Sequence, residues 1–229
     1  MCEGPYSISL LTTAHPKYAG VKQQFLDSWV HPGPKPSVRS ILQVRNSPAK
    51  FGEYESYSAG LSQSNEVRRF HGTSMKCNFG IDRRSAPCDD DGCAVCTICQ
   101  ASFKLDHSGG GPLTGAWGGR LRYGRGLYFS KASSKSNDYA AESERVGGGA
   151  RMRCVFLCKV ALGRAFKTPR DGLDDADIDL ALKVRGHGGA HDSLVGLTAA
   201  EGGALNYDET VVYSERAAIP SYLIVYALG

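Results

Sequence analysis

"RFHGTS", residues 69–74, stands between a polar run and a cysteine-rich one. With Val67 and Arg68 before it, the stretch reads as a short strand that stops at a glycine turn. A histidine followed by glycine and two hydroxyl residues is either an ordinary turn or a place where a ligand lies against bare backbone. Gly72 permits the second, because a residue without a Cβ lets main chain and ligand approach closely. The segments on either side decide between the two.

Upstream, "HPKYAGVKQQFLDSWV" (15–30) sets Val21, Phe25, Leu26 and Trp29 at helical spacing, and "HPGPKP" ends that helix because proline cannot continue it. "SVRSILQVRN" (37–46) alternates as a strand, and residues 46–66 form a turn and a polar, partly helical segment. Downstream, residues 75–119 read as one long irregular loop rich in Cys, Asp and Gly, of the length that is usually functional. "GRGLYFS" enters a strand, "SSKSNDYAAESE" (133–144) reads as a helix with a serine N-cap, and "GGG" at 147–149 breaks it. "RMRCVFLCKVAL" (151–162) is apolar on both faces, which predicts a central strand, with Cys154 and Cys158 as small core residues on one face. Residues 168–192 form an acidic, then Gly/His-rich connection, and "LNYDETVVY" and "SYLIVYAL" are two closing strands. The order predicts one α+β domain over 1–229 with a mainly antiparallel sheet.

The 229 residues suffice for a core without disulfides, and 41% hydrophobic with 22% charged residues is ordinary globular composition. The 28 glycines predict many loops and few long helices. A net charge of +4 permits an anionic ligand but is too weak to imply nucleic acid. There is no apolar run of membrane-spanning length and no signal-like N-terminus. Five of the eight cysteines crowd between Cys77 and Cys99, which is not how a secreted disulfide framework is spread. An intracellular protein, cytoplasmic or nuclear, with reduced or metal-bound cysteines is expected.

Those cysteines follow a Cys77…Cys88-x4-Cys93-x2-Cys96-x2-Cys99 pattern. Zinc takes four thiolates in a tetrahedron, and C-x2-C presents two at once. Cys77, Cys88, Cys93 and Cys96 are the first choice, in a zinc-binding insertion over 75–119; Cys99 is the reserve and His107 a spare ligand. Free loop thiols are the alternative. Tyr128 and Tyr139 lie on a strand and the following helix, with Ser136 on the same helical face as Tyr139, and two such rings can form a slot for a flat heterocycle. Core packing explains tyrosines equally well. In "LNYDETVVY", Glu209 shares a face with Tyr207, Val211 and Tyr213, where a carboxylate is costly unless paired, as at a sheet edge, or used.

In this order, "FHGT", "GRGLYFSKASSKSNDY", "HDSLVG", "LNYDETVVY" and "PSYLIVY" resemble the catalytic domain of the poly(ADP-ribose) polymerase family, the ADP-ribosyltransferases with a His-Tyr-Glu triad. The resemblance covers nearly the whole chain, and the cysteine cluster after "HGT" is similar to that of fungal and plant members. It implies an ADP-ribosyltransferase fold, a split β-sheet with flanking helices and here a zinc-braced loop, and NAD as substrate. It implies a triad of His71, Tyr128 and Glu209. His71 would bond the adenine-side ribose, Gly72 would clamp the nicotinamide carboxamide by its backbone with Thr73 beside it, and Ser136 would give a third bond. Tyr139 would stack on the nicotinamide, Tyr128 would complete the slot, and Glu209 would bond the nicotinamide ribose and steer the acceptor. The implied activity is transfer of ADP-ribose to a macromolecule, mono- or oligo-transfer favoured. The acceptor would be a protein, the chain itself included, with a nucleic-acid end the lesser choice. NAD hydrolysis at the same site and a silent zinc-braced interaction module are the alternatives. Arg120, Arg122 and Arg125 could meet the pyrophosphate or an anionic acceptor, or be solvated loop charges.

Overall fold

A computed structural model describes residues 6–81, 86–108, 121–140, 151–183 and 189–228. Two sheets carry the chain. The first has strands β1 (Ser7–Leu10), β2 (Ser37–Arg45), β3 (Glu66–Gly72), β5 (Met152–Ala161) and β9 (Ala218–Ala227), in the order β1-β2-β9-β5-β3 and antiparallel throughout. The second has β4 (Leu127–Phe129), β6 (Ala165–Thr168), β7 (Ser193–Gly196) and β8 (Glu209–Val212), in the order β4-β8-β7-β6, with β6 and β7 parallel. The predicted α+β, mainly antiparallel split sheet is what forms.

β5 is central, as its two-faced apolarity predicts. Val155 and Leu157 face a core that includes Phe25 and Trp29, from and just after helix α1 (Pro16–Asp27). Cys154, Phe156, Cys158 and Val160 face the other way, into a core shared with the cysteine segment. Each face of the sheet is thus covered by a different part of the chain, and Cys154 and Cys158 are packing residues. The polar segment after β2 is a full helix, α2 (Pro48–Gly60), started by Ser47, whose side chain accepts from the Lys50 N–H.

Three expectations need correction. Residues 75–119 are not irregular throughout, because helix α3 (Ala94–Ala101) lies within them. Its Val95, Ile98 and Cys99 are buried against the first sheet, so tertiary packing supplies what the polar, glycine-rich surroundings hide. The helix expected over 133–144 is the single turn α4 (Ser133–Asn137), with Tyr139 just beyond it; residues 141–150, and with them "GGG", lie outside the described residues. Its N-cap is Ala132, not a serine, because Ser133 and Ser134 are used elsewhere: the Ser133 hydroxyl donates to Phe25 O, and Ser134 Oγ accepts from the N–H groups of Val30 and His31. The connection after β6 also holds a helix, α5 (Asp175–Ala181), capped by Asp174. No helix among the described residues is long and apolar enough to cross a membrane.

The two sheets are joined at one point that matters for function. Phe70 and Ser130 exchange both backbone hydrogen bonds, at 2.8 and 3.0 Å, linking the edge strand β3 to the end of β4. His71 follows the first partner and Tyr128 precedes the second by two residues.

Candidate active site and metal centre

A cavity of about 700 Å³ opens at that junction. His71, Gly72 and Thr73 line it from the end of β3, Tyr128 from β4, Ser136 and Tyr139 from α4 and its C-terminal end, and Glu209 from β8. All seven residues expected around one ligand therefore reach one space, of the size that takes a small molecule.

His71 Nδ1 lies 2.8 Å from the Tyr128 carbonyl oxygen. A carbonyl only accepts, so Nδ1 carries the proton and Nε2 is left as an acceptor. Burial lowers the His71 pKa, against the opposing pull of the Tyr128 carbonyl, and keeps the ring neutral. Phe103 meets the ring edge-on with centroids 5.1 Å apart, and Phe129 tilts against it at 5.5 Å. The Tyr128 hydroxyl donates to Gly124 O at 2.7 Å and accepts from Tyr123 N–H at 3.0 Å, and burial pushes its pKa up. Tyr128 is thus pinned by its hydroxyl, which leaves its ring as the part that shapes the cavity.

Gly72 has a reason the sequence could not give. A Cβ placed there would run into the Ser136 carbonyl, well inside contact distance. The strand end and α4 approach so closely that main chain packs on main chain, which places Ser136 beside Gly72.

Glu209 is 7% exposed and sits on an interior strand, not at a sheet edge. Lys135 Nζ lies 3.7 Å from its Oε1 and Arg122 Nε lies 3.8 Å from its Oε2. Burial raises the Glu209 pKa, while Arg122 and Lys135 pull it back. Lys135 also stands 5.1 Å from the centroid of the Tyr139 ring, so it spans the space between the aromatic slot and the carboxylate. The sequence reading missed Lys135, although it immediately precedes Ser136. It also missed the segment 170–174, which lines the far side of the cavity. Arg122, read from the sequence as meeting a pyrophosphate or acceptor or as a solvated loop charge, lines the cavity and is paired with Asp171 and Glu209. Arg125 pairs with exposed Asp106, and Arg120 lies outside the described residues.

The first-choice cysteines come together. The Sγ atoms of Cys77, Cys88, Cys93 and Cys96 all lie within 4.8 Å of one another, with Cys77 3.4 Å from Cys96 and 3.8 Å from Cys93. Four sulfurs about 2.3 Å from a tetrahedral zinc would be about 3.8 Å apart, so the group could hold such an ion. Burial pushes the thiols of Cys77 and Cys96 up, a penalty that a divalent cation among thiolates would relieve. Cys99, one turn beyond, is 1% exposed in the hydrophobic core, and neither it nor His107 belongs to the group. His107 lines the cavity instead.

The cysteine group and the cavity share a wall. Lys76 N–H donates to Cys93 Sγ and Val95 N–H to Ser74 O, which fastens the start of α3 to the segment leaving "HGT". Ala94, Thr97 and Ile98 of the same helix line the cavity.

Comparison with known families matches residues 93–228 to the poly(ADP-ribose) polymerase catalytic domain. The match spans more than half of the chain and contains Tyr128, Ser136, Tyr139 and Glu209; His71, Cys77 and Cys88 precede it and stand on geometry alone. On that match, and on a split sheet with the cleft at its junction, the chain belongs to the poly(ADP-ribose) polymerase catalytic domain family.

Proposed function

We propose that the chain is an ADP-ribosyltransferase that breaks the nicotinamide–ribose bond of NAD and passes ADP-ribose to a protein acceptor, its own chain included. The observation that carries this is the convergence of His71, Gly72, Tyr128, Ser136, Tyr139 and Glu209 on one cavity in a member of this family. His71 offers Nε2 as acceptor to a hydroxyl of the adenine-side ribose. Gly72 and Ser136 hold the carboxamide, with Thr73 beside them. The nicotinamide of NAD carries a positive charge, which favours the faces of Tyr139 and Tyr128. As nicotinamide leaves, positive charge develops on the ribose carbon, as in glycoside cleavage, and the Glu209 carboxylate bonds the neighbouring hydroxyls and stabilises that charge. The step requires Glu209 ionised, a state that the flanking cations Arg122 and Lys135 favour.

Mono- or oligo-transfer is favoured over long chains, inside the cell, in cytoplasm or nucleus. Cys77, Cys88, Cys93 and Cys96 hold a structural zinc, which supplies a cross-link between the strand end and α3 rather than a reacting group. The test is incubation with labelled NAD, following nicotinamide release and label on protein together. Wild type should show both, and Glu209→Gln should bind NAD yet lose transfer by a factor of a hundred or more, on the order of a lost charge-stabilising group. Undiminished transfer by Glu209→Gln would sink the assignment. Release without labelling, lost in the same variant, would make the protein a hydrolase, and no release would favour a silent interaction module.

A further inference from the structure

Arg122 is held on every side that the structure shows. Its guanidinium pairs with Asp171, its carbonyl accepts from Leu173 N–H at 2.9 Å, and next to it the Tyr123 hydroxyl donates to Arg170 O at 2.9 Å. Gly172, between Asp171 and Leu173, has φ +98, a left-handed conformation that lets this segment turn back onto Arg122, and a Cβ there would sit 3.1 Å from the Arg122 carbonyl. Two segments far apart in sequence, 121–123 and 170–174, are thus bound into one wall. That wall presents one cation, 19% exposed, to Glu209. Lys135 presents the second from the opposite element, on a side chain that also reaches the Tyr139 ring.

We propose that Arg122 is the positioning residue of Glu209, a guanidinium locked by Asp171 that orients the carboxylate toward the cavity and sustains its charge. This rests on the proposed role of Glu209. An arginine suits the task because its planar fork can face two carboxylates at once and does not lose its proton when buried. Lys135, equally close, is more adaptable, and it is the group that a ligand entering the tyrosine slot would displace. Arg122 then remains with Glu209 while Lys135 moves. The other groups facing Glu209 are Tyr128 from β4, Tyr123 beside Arg122, and Asp171, whose charge opposes Arg122's.

The experiment reads Glu209 directly. Protein labelled with carbon-13 at the glutamate carboxyls is titrated by NMR, and the Glu209 signal is assigned by its loss in Glu209→Gln. In Arg122→Met the Glu209 titration should move up by about 1–3 pH units, in the range of one lost neighbouring charge, and Arg122→Lys should restore part of it. The acid limb of nicotinamide release against pH should move the same way. Asp171→Asn keeps both cations but removes the carboxylate that Arg122 pairs with opposite Glu209, so kcat should fall several-fold with little change in KM. A Glu209 titration unmoved in folded Arg122→Met, or an Asp171→Asn enzyme with full kcat, would overturn the proposal. If Arg122→Met fails to fold, Arg122→Lys and Asp171→Asn decide, through the titration and kcat. Absence of nicotinamide release from wild type would defeat the proposed function, while the carboxyl titration would still report on Arg122.

Discussion

Removing the metal assigned to the four cysteines should cost the fold about 3 kcal/mol and reshape one wall of the cavity. Cys77 and Cys96 are 19 positions apart in sequence, with sulfurs 3.4 Å apart. A cross-link closing a loop of that length removes about 3 kcal/mol of entropy from the unfolded chain, by the same chain statistics that apply to disulfides. For a domain of this size each kcal/mol moves the melting temperature by about 2–4 °C, so the metal-free protein should melt about 6–12 °C lower. The second effect is local. α3 carries Cys96 near its start and presents Thr97 and Ile98 to the cavity, and Phe103 just after it packs on the His71 ring. Loosening α3 should therefore weaken NAD binding even at a temperature where the domain stays folded. The assay is calorimetric melting, elemental analysis and NAD titration of the Glu209→Gln protein, which binds without turnover, before chelation, after chelation under reducing conditions, and after zinc is restored. One zinc per chain, a lower melting temperature, weaker binding and recovery on adding zinc are expected. A metal-free preparation that melts at the same temperature would refute the cross-link. One that melts lower but binds NAD equally well would refute the shared wall.

Three further substitutions and a change of pH separate the roles of single residues. Gly72→Ala should destabilise the protein by about 1–3 kcal/mol and impair NAD binding, because its Cβ must displace a backbone carbonyl of α4 rather than a flexible side chain. Gly52→Ala, in α2 with nothing near its Cβ, should leave both unchanged or gain up to about 1 kcal/mol of stability; thermal melts of the pair check this. His71 has a folded pKa below its unfolded value of about 6.5. The unfolded chain therefore binds the extra proton first, so the stability tied to neutral His71 is complete above about pH 6.5 and is lost as pH falls from there toward the lowered value. Melts from pH 7.5 to 5 should show wild type losing more stability than His71→Gln; parallel curves would refute the lowered His71 pKa.

How much of this was written in the sequence depends on the distance over which each feature is decided. Local pattern sufficed to predict β5 as central, because a run apolar on both faces fits a strand covered on both sides, and to pick out four cysteines whose sulfurs converge, of which C-x2-C spacing joins Cys93 and Cys96. His71, Tyr128, Ser136, Tyr139 and Glu209, which line one cavity, are nominated by the resemblance of their motifs, whereas pattern alone leaves core packing for the tyrosines and an ion pair for Glu209. Local pattern misled where packing overrides composition. α3 is hidden among glycines and aspartates and becomes a helix because the first sheet covers Val95, Ile98 and Cys99, which also withdraws Cys99 from the metal group. The serines before Ser136 looked like a helix cap but are spent on the end of α1. What the sequence determined by itself is the stock of groups and the alternation that sorts them to one face or another. Only the tertiary structure decided that the Ser136 carbonyl forbids a side chain at Gly72, and that Arg122, tied to Asp171, stands against Glu209. Those are contacts between segments dozens of residues apart, and their partners are fixed by which strands pair, a global outcome that no local spacing encodes.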